Sequence, residues 1–279
     1  MCPGKADEKM RLDMLLVRLG FFETREKARR SIMAREVSVN GMVEDKPGTM
    51  VAISSQVEVR ALSDRYVSRG GIKLEGALID LDIDVRDKVA IDIGASTGGF
   101  TDCLLRHGAR KVYAVDVGKG QLIWKLREDP RVVTLEGVNI RHASPDIFPE
   151  KADIITVDVS FISVTKFLDL LREFVKPSGQ ILILIKPQFE AGREKVGKGG
   201  VVKDPRVHRE VINSIIDFAL SHGFGYRGLT YSKIKGPKGN IEFFLLLGPK
   251  PEEDGTTSRD ELQAQISEVV AKAQVGAFS

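Results

Sequence analysis

Cysteine is scarce, with only Cys2 and Cys103 in 279 residues. Two such thiols give no disulfide framework, and neither stands in a metal-ligand spacing, so no metal site is expected. Long apolar runs are missing too. "ILILI" (Ile181–Ile185) and "FFLLL" (Phe243–Leu247) are strand-sized, far short of the roughly 20 residues that cross a bilayer. Met1 to Glu8 is polar and lacks the apolar core of an export signal. The expectation is a cytoplasmic protein with no membrane partner. No internal repeat is visible, and net charge is a modest +3. Its distribution is uneven, however. Lys9, Arg11, Arg18, Arg25, Lys27, Arg29, Arg30 and Arg35 face only Asp13, Glu23 and Glu26 in the same stretch, whereas acids outnumber bases from Lys250 to Ser279. A local basic face of this kind points to nucleic acid, against the plainer reading of a solvated helix surface.

What is present begins with a compact unit from Arg11 to Val59. Leu12, Leu15, Leu16 and Leu19 recur at helical spacing, and Gly20 closes that helix. Thr24 caps a second helix whose Ala28 and Ile32 face inward while its arginines crowd outside. "VSVNG" is a strand that meets a turn at Asn40-Gly41, and "VEV" brings alternation back. Arg11-Leu12-Asp13, Gly20, Arg25, Lys27-Ala28-Arg29, Val37, Val39-Asn40-Gly41 and Lys46-Pro47-Gly48 resemble the RNA-binding module of the ribosomal S-four type. The resemblance implies docking on structured RNA through Arg11, Arg18, Arg25, Lys27, Arg29, Arg30 and Arg35. Arg65 and Arg69, in and just after the bridge "SDRYVS" (Ser63 to Ser68), join that expected contact set.

From Val89 onward strands and helices alternate. Strands are expected at 89–93, 111–115, 132–136, 154–157 and 181–185, with helices at 98–107, 164–175 and 205–222. Two more strands, near 224–231 and 241–247, are joined by "SKIKGPKGN", which reads as a hairpin. This pattern implies a mostly parallel sheet covered on both faces, with an antiparallel edge.

The first turn, Gly94-Ala95-Ser96-Thr97-Gly98-Gly99, lacks the second glycine of a dinucleotide fingerprint. Its glycines still let a ligand near the backbone. Asp116 ends the second strand, where a carboxylate accepts hydrogen bonds from vicinal ribose hydroxyls. Turn, spacing and strand count resemble the S-adenosylmethionine methyltransferase fold. The expected fold class is therefore α/β, a seven-stranded Rossmann-like sheet preceded by a small α+β RNA-binding domain. The cofactor set implied is Asp92, Gly94, Ala95, Ser96, Thr97, Gly98, Gly99, Phe100, Asp116, Val117, Asn139 and Ile140, with S-adenosyl-L-methionine as ligand.

Lys73 lies on the helix leading into the sheet, Asp158 follows the fourth strand, Lys186 the fifth, and Glu242 starts the last. Singly, strand-end charges are usually solvent-facing. Together they resemble the Lys-Asp-Lys-Glu tetrad of FtsJ-like ribose 2′-O-methyltransferases. With "SRGGIKLEGAL", "DIGASTGGFTDCLL", "DVSFIS" and "KPQFEAGREKVGKGGVVKDPRVH", the chain from Arg11 to Gly248 resembles the TlyA family of rRNA 2′-O-methyltransferases, often labelled hemolysins. It departs from that family at Tyr66, where the best-known members carry tryptophan. The resemblance implies methylation of a cytidine ribose in rRNA, although the residues alone leave nucleotide and subunit open.

A ribose hydroxyl is a poor nucleophile, so it must be aligned and stripped of its proton. The tetrad reading makes Lys186 the base, Lys73 the nearby cation, Asp158 the group that orients Lys186, and Glu242 the partner of Lys73 or the ribose. A lysine accepts a proton only when neutral, which needs desolvation or a neighbouring cation. Glycine-rich Gln188–Asp204, with Arg193, Lys195 and Lys198, is expected to be a mobile, RNA-contacting lid. Expected boundaries are 1–62 for the RNA-binding domain, 63–68 for a linker, 69–250 for the methyltransferase domain and 251–279 for an acidic tail or helix. The partner expected is ribosomal RNA or a subunit, and the oligomeric state a monomer or weak dimer. Competing expectations are a membrane-lytic protein and a non-catalytic ribosome-assembly factor.

Overall fold

In the computed structural model the described residues are 9–19, 21–22, 24–59, 66–236, 239–250 and 258–275. They belong to two units, Met1–Arg65 and Tyr66–Ser279. Gly20 and Arg65, both named in the sequence reading, lie outside the described residues.

The first unit runs β1 (Lys9–Arg11), α1 (Leu12–Arg18), α2 (Arg25–Met33), β2 (Val37–Val39), β3 (Met42–Glu44), β4 (Met50–Ala52) and β5 (Val57–Val59). Leu12, Leu15 and Leu16 are buried against Ala28, Ile32, Val37, Val39 and Val51. Leu19, expected on the inner stripe, is instead exposed at the C-terminal cap of α1. The Thr24 hydroxyl accepts from the Lys27 amide at 3.3 Å, a cap worth about 1 kcal/mol. Asn40 and Gly41 both take positive φ, 50° and 79°, which closes the β2–β3 hairpin tightly. β3, β2 and β5 form one sheet, and β1 pairs with β4.

The second unit contains α3 (Arg69–Asp80), β6 (Val89–Ile93), α4 (Gly99–Arg106), β7 (Lys111–Asp116), α5 (Trp124–Arg127), β8 (Val132–Glu136), β9 (Ala152–Val157), α6 (Leu171–Phe174), β10 (Val175–Ile185), α7 (Pro187–Glu190), α8 (Pro205–Ser221), β11 (Phe224–Tyr231), β12 (Phe243–Pro249) and α9 (Arg259–Val275). Its seven-stranded sheet has the order β11-β12-β10-β9-β6-β7-β8. Strands β8 to β10 are joined through parallel pairs, and β12 runs antiparallel to both β10 and β11. The expected mixed sheet is thus present, with the last strand inserted between its two predecessors.

Alternation decides which core each side chain joins. Phe243, Leu245 and Leu247 enter one face with Ile91, Ile183 and α8. Phe244 and Leu246 enter the other with Ala90, Leu182, α3 and α4. A strand buried on both faces reads as a continuous apolar run, which explains "FFLLL" and "ILILI".

Two local expectations change, and the C-terminal stretch expected as a tail or helix takes helical form. The helix expected over 164–175 is a 3-10 turn (Val164–Lys166), a further turn and the short α6. Val164, Phe167, Leu168, Leu171 and Phe174 are all buried, so the apolar spacing is kept while the backbone is broken. Glu190 Oε1 accepts from the Val164 amide at 2.9 Å and fixes where that segment starts. Tyr66, within the expected linker, is buried in the second unit; a Cβ on Gly71 would strike its ring. The acidic C-terminal stretch contributes α9, which packs on α8 and β11 through Leu262, Ile266, Val270 and Ala273. The three larger of these bury at about 1.5–3 kcal/mol each. No described helix is long and apolar enough to cross a membrane.

Candidate active site

Strand register brings the four tetrad residues together. Ile185 pairs with Phe243, so Lys186 and Glu242 lie one step beyond that pair on adjacent strands. The strand start expected at Glu242 therefore falls one residue later. Val157 pairs with Ile93 and Ile183, and Asp158 lies just past it, its amide donating to Ile93 O at 2.8 Å. All three stand at one edge of the sheet, where open α/β sheets bind ligands.

The tetrad is two ion pairs. Lys73 Nζ donates to Glu242 Oε2 at 2.6 Å, linking α3 to the entrance of β12. Lys186 Nζ is 2.5 Å from Asp158 Oδ1 and donates to Ser160 Oγ at 3.0 Å. The contact with Asp158 is off the line of a hydrogen bond, so Oδ1 keeps no aligned donor. Glu242 Oε1 has none either, although Glu242 is fully buried. Gln188 Oε1 is the third buried side-chain atom without a partner among the described residues. Burying an acceptor without a donor costs about 1–3 kcal/mol. Glu242 Oε1 and Gln188 Oε1 describe a site awaiting a hydrogen-bond donor, whereas Asp158 Oδ1 is offset by the Lys186 ammonium at 2.5 Å.

Glu242 and Gln188 line a cavity of about 450 Å³ together with Ser160, Phe161, Lys186, Phe189, Val196, Gly200 and Asn240. Phe161 is 89% exposed with a left-handed φ of 66°, and its ring centroid lies 4.8 Å from that of Phe189. Such strain on a bulky residue, beside exposed aromatic surface, marks a functional position. Sequence reasoning assigned no role to Ser160, Phe161 or Asn240, and placed Gln188 and Phe189 only within the expected lid. Their only signal was membership of the blocks "DVSFIS" and "KPQFE" and the segment "GPKGN".

The expected cofactor residues gather beside the tetrad. A Cβ on Gly94 would run into the Asp158 carbonyl, so the first turn lies directly against that residue. Asp116 Oδ2 accepts from the Ser96 amide at 2.8 Å, and Oδ1 from the Gly118 amide at 2.7 Å. Each oxygen keeps a further lone pair for a ligand hydroxyl. Val138 N donates to Asp116 O at 3.0 Å, bringing Asn139 alongside. Asn139 caps the 3-10 turn Ile140–His142 by accepting from the Arg141 amide at 3.2 Å, and Ile140 is buried. Ser96, Thr97 and Val117 are exposed, while Ala95 and Phe100 are buried.

Two expectations for this set need correction. Asp92 is fully buried, with Thr101 Oγ1 donating to Oδ2 at 2.7 Å and Thr156 Oγ1 to Oδ1 at 3.1 Å. Burial pushes its carboxyl up to about 7. It supports the turn from below and offers no surface to a ligand. Gly98 and Gly99 likewise make room for protein: a Cβ on Gly98 would meet Leu122 and Leu126, and one on Gly99 would meet Ser68. The left-handed φ of 99° at Gly98 adds a second reason for glycine.

Of the expected RNA contacts, Arg11 and Arg25 are tied to the buried Asp13, at 3.0 and 2.9 Å. The Arg11 guanidinium holds the Asp13 carboxyl below its ordinary range. Arg30 lies 3.8 Å from Glu26, and Arg18, Lys27, Arg29 and Arg35 are exposed. In the second unit Arg69 donates to Lys235 O at 3.2 Å, and Lys195 to Glu210 at 2.8 Å. Arg193 and Lys198 are exposed on the loop after Lys186.

Residues 66–249 match the FtsJ-like methyltransferase family and residues 10–57 the S4 domain. The chain is 48% identical over 268 residues to YqxC of Bacillus subtilis, named as an rRNA methyltransferase, covering 95% of this chain and 94% of that one. It is 39% identical over 265 residues to the 16S/23S rRNA (cytidine-2′-O)-methyltransferase TlyA of Mycobacterium tuberculosis, covering 95% and 98%. A solved structure from Streptococcus thermophilus, named as a hemolysin, superposes with a TM-score of 0.75 at 44% identity over 97% of each chain.

Proposed function

The chain belongs to the FtsJ-like methyltransferase family, and from that premise we propose that it methylates a ribose 2′-hydroxyl of ribosomal RNA, with a cytidine as the acceptor nucleotide. The observation that carries this reading is the pair of unpartnered buried acceptors, Gln188 Oε1 and Glu242 Oε1, that line one cavity with Lys186. A hydroxyl is the donor such a set lacks. The S4 match and the basic face of α2 favour folded RNA as the molecule that carries it. An enzyme of this kind works in the cytoplasm, where ribosomes are made.

S-adenosylmethionine supplies an activated methyl group when bound. The fit for it lies in the half-buried Asp116 carboxylate with spare lone pairs beside the first turn, and in the contact of Gly94 with Asp158. Asp116, Ser96 and the segment at Asn139 hold the cofactor. The tetrad then acts on the RNA hydroxyl. Asp158 and Ser160 hold the end of the Lys186 side chain, so Nζ reaches the cavity in one orientation. The 2′-hydroxyl proton passes to Lys186 Nζ in its neutral form. Lys73 holds Glu242, whose free Oε1 accepts from the ribose and keeps its oxygen in line. Alignment contributes as much here as base strength. Phe161 and Phe189 offer aromatic faces for the base carried on that ribose.

The test is incubation with methyl-labelled cofactor and each purified ribosomal subunit, followed by mapping of the labelled nucleotide. Label on a cytidine ribose is expected. Lys186→Met should lower transfer at least a hundredfold while calorimetry still detects cofactor binding. Label on a base or a protein, or cofactor binding without transfer to either subunit, would overturn the proposal.

A further inference from the structure

Behind Lys186 the chain passes through α7 and a glycine-rich loop, then returns through Gly200, Val201 and Val202 to α8. Gly192, Gly199 and Gly200 all have positive φ, and the loop's own backbone bonds are short-range, such as Lys195 N to Gly192 O and Gly200 N to Gly197 O. The return segment is nevertheless held from both sides. Asn240 Oδ1 accepts from the Val202 amide at 3.0 Å, and Asn240 Nδ2 donates to Gly200 O at 2.9 Å. Both ends of the carboxamide are used, so its orientation is determined by its partners. The ring of buried His208 lies with Nε2 3.1 Å from Val202 O and Nδ1 3.1 Å from Gln274 Nε2. An amide nitrogen only donates, so Nδ1 accepts and the ring proton sits on Nε2, where it donates to Val202 O. Both backbone polar groups of Val202 are therefore gripped by buried side chains. A short bridge between Gly197 and Val201 completes the turn.

Asn240 stands two residues before Glu242, is itself buried, and lines the cavity together with Lys186, Phe189 and Gly200. The segment that delivers one tetrad carboxylate thus also clasps the loop that leaves the tetrad lysine.

We propose that Asn240 is a positioning residue for methyl transfer: its carboxamide latches Gly200 and Val202 to the approach of β12 and seats the Gly192–Gly200 loop as a wall of the acceptor cavity. The inference rests on the methyltransferase reading above. Both polar ends of the Asn240 carboxamide are engaged by the return segment of the loop. Asn240 acts by holding the wall against which the ribose is aligned, and a misplacement of about 1 Å in such a wall costs about a hundredfold in rate. The mobile lid expected from composition is, on this geometry, a loop clamped at its return end.

The experiment compares wild type with Asn240→Ala and Asn240→Asp. Asn240→Asp keeps the acceptor for Val202 but sets an oxygen against the Gly200 carbonyl. Three readouts are needed: single-turnover methyl transfer at saturating subunit, cofactor affinity by calorimetry, and the rate of tryptic cleavage at Arg193, Lys195 and Lys198. Both variants should transfer methyl about tenfold to a hundredfold more slowly. Cleavage in the loop should be faster, and cofactor affinity should stay within about twofold. Wild-type transfer by either folded variant would overturn the proposal, as would a loss of cofactor affinity in step with rate. Should the wild-type protein methylate neither subunit, the functional reading fails by itself. Unchanged cleavage of the loop in both variants would then separately overturn the latch.

Discussion

Asp92→Asn separates the structural use of a buried carboxyl from any use in binding. Asp92 sits near the C-terminal end of β6 with no exposed surface, and burial raises its carboxyl from 3.8 to about 7. Between pH 4 and 7 the folded protein keeps a proton that the unfolded chain has lost, so stability falls as pH rises. It is complete below the unfolded value and fully forfeited above about 7. At 1.36 kcal/mol per pH unit the whole loss is about 4 kcal/mol, roughly 3 of it falling between pH 5 and pH 8.

Asparagine keeps the shape and never ionises. Its NH2 group needs an acceptor, and Thr156 Oγ1 can serve by turning its proton toward Ile91 O, 3.5 Å away. The remaining Oδ1 still accepts from Thr101. Urea titrations of wild type and variant at pH 5 and pH 8 should therefore show the variant's relative stability rising by about 3 kcal/mol at the higher pH. Titrating groups that do not interact with Asp92 cancel in that comparison, and its coupling to Asp158 is a minor contribution beside burial. A change below about 1 kcal/mol would mean that Asp92 is ionised without penalty, and the account of its burial would be wrong. Because both carboxylate oxygens are taken by threonine hydroxyls, cofactor affinity should not follow the stability change.

Two further outcomes follow from the surroundings of the turn and from the first unit. Asp116→Ala should weaken S-adenosylmethionine binding by about 1.5–3 kcal/mol, roughly tenfold to 150-fold by calorimetry. Asp116→Asn, which keeps one acceptor for the Ser96 or Gly118 amide, should lose less. Replacing Arg18, Arg29 and Arg35 with alanine should weaken binding to ribosomal subunits and flatten the log–log salt dependence by roughly one unit for each phosphate deprived of its arginine. Arg25→Ala, by contrast, should lower the melting temperature of the first unit, because it strips one guanidinium from the buried Asp13. Unchanged salt dependence in the triple variant would remove that face from RNA binding.

The sheet was legible because its strands are buried on both faces and therefore read as unbroken apolar runs bounded by charge. β6, β8 and α8 fall within a residue of the expected limits. The tetrad was legible for a related reason: a charged residue directly after a buried strand has little choice but the sheet edge. Lys186 and Asp158 are both of this type. The meeting of Glu242 with Lys186 is a matter of topology, since it depends on β12 entering between β10 and β11. No local pattern contains that information; the resemblance to a known fold supplied it. The cavity wall was illegible for the opposite reason. Phe161, Gln188 and Asn240 sit where the chain shows no usable period, and Asn240 is placed by hydrogen bonds to a segment far away in sequence, at Gly200 and Val202.

The glycines of the first turn show how a sequence can locate a site while misassigning its physics. A glycine-rich turn after a buried strand suggests backbone bared for a ligand. Here a side chain at Gly94, Gly98 or Gly99 would meet the Asp158 carbonyl, Leu122 and Leu126, or Ser68. These glycines are small because three pieces of protein converge on the turn: the end of β9, the α5 region, and the start of α3. That convergence has a chemical consequence. The segment ending β9 carries Asp158, and α3 carries Lys73, so the turn proposed to receive the cofactor is packed against the elements that present half of the tetrad. On the proposed function, methyl donor and acceptor machinery are thereby held at a fixed separation by backbone contacts, which deform far less than side chains. A displacement of the turn would move the donor and the tetrad together, preserving the alignment on which transfer to a weak nucleophile depends.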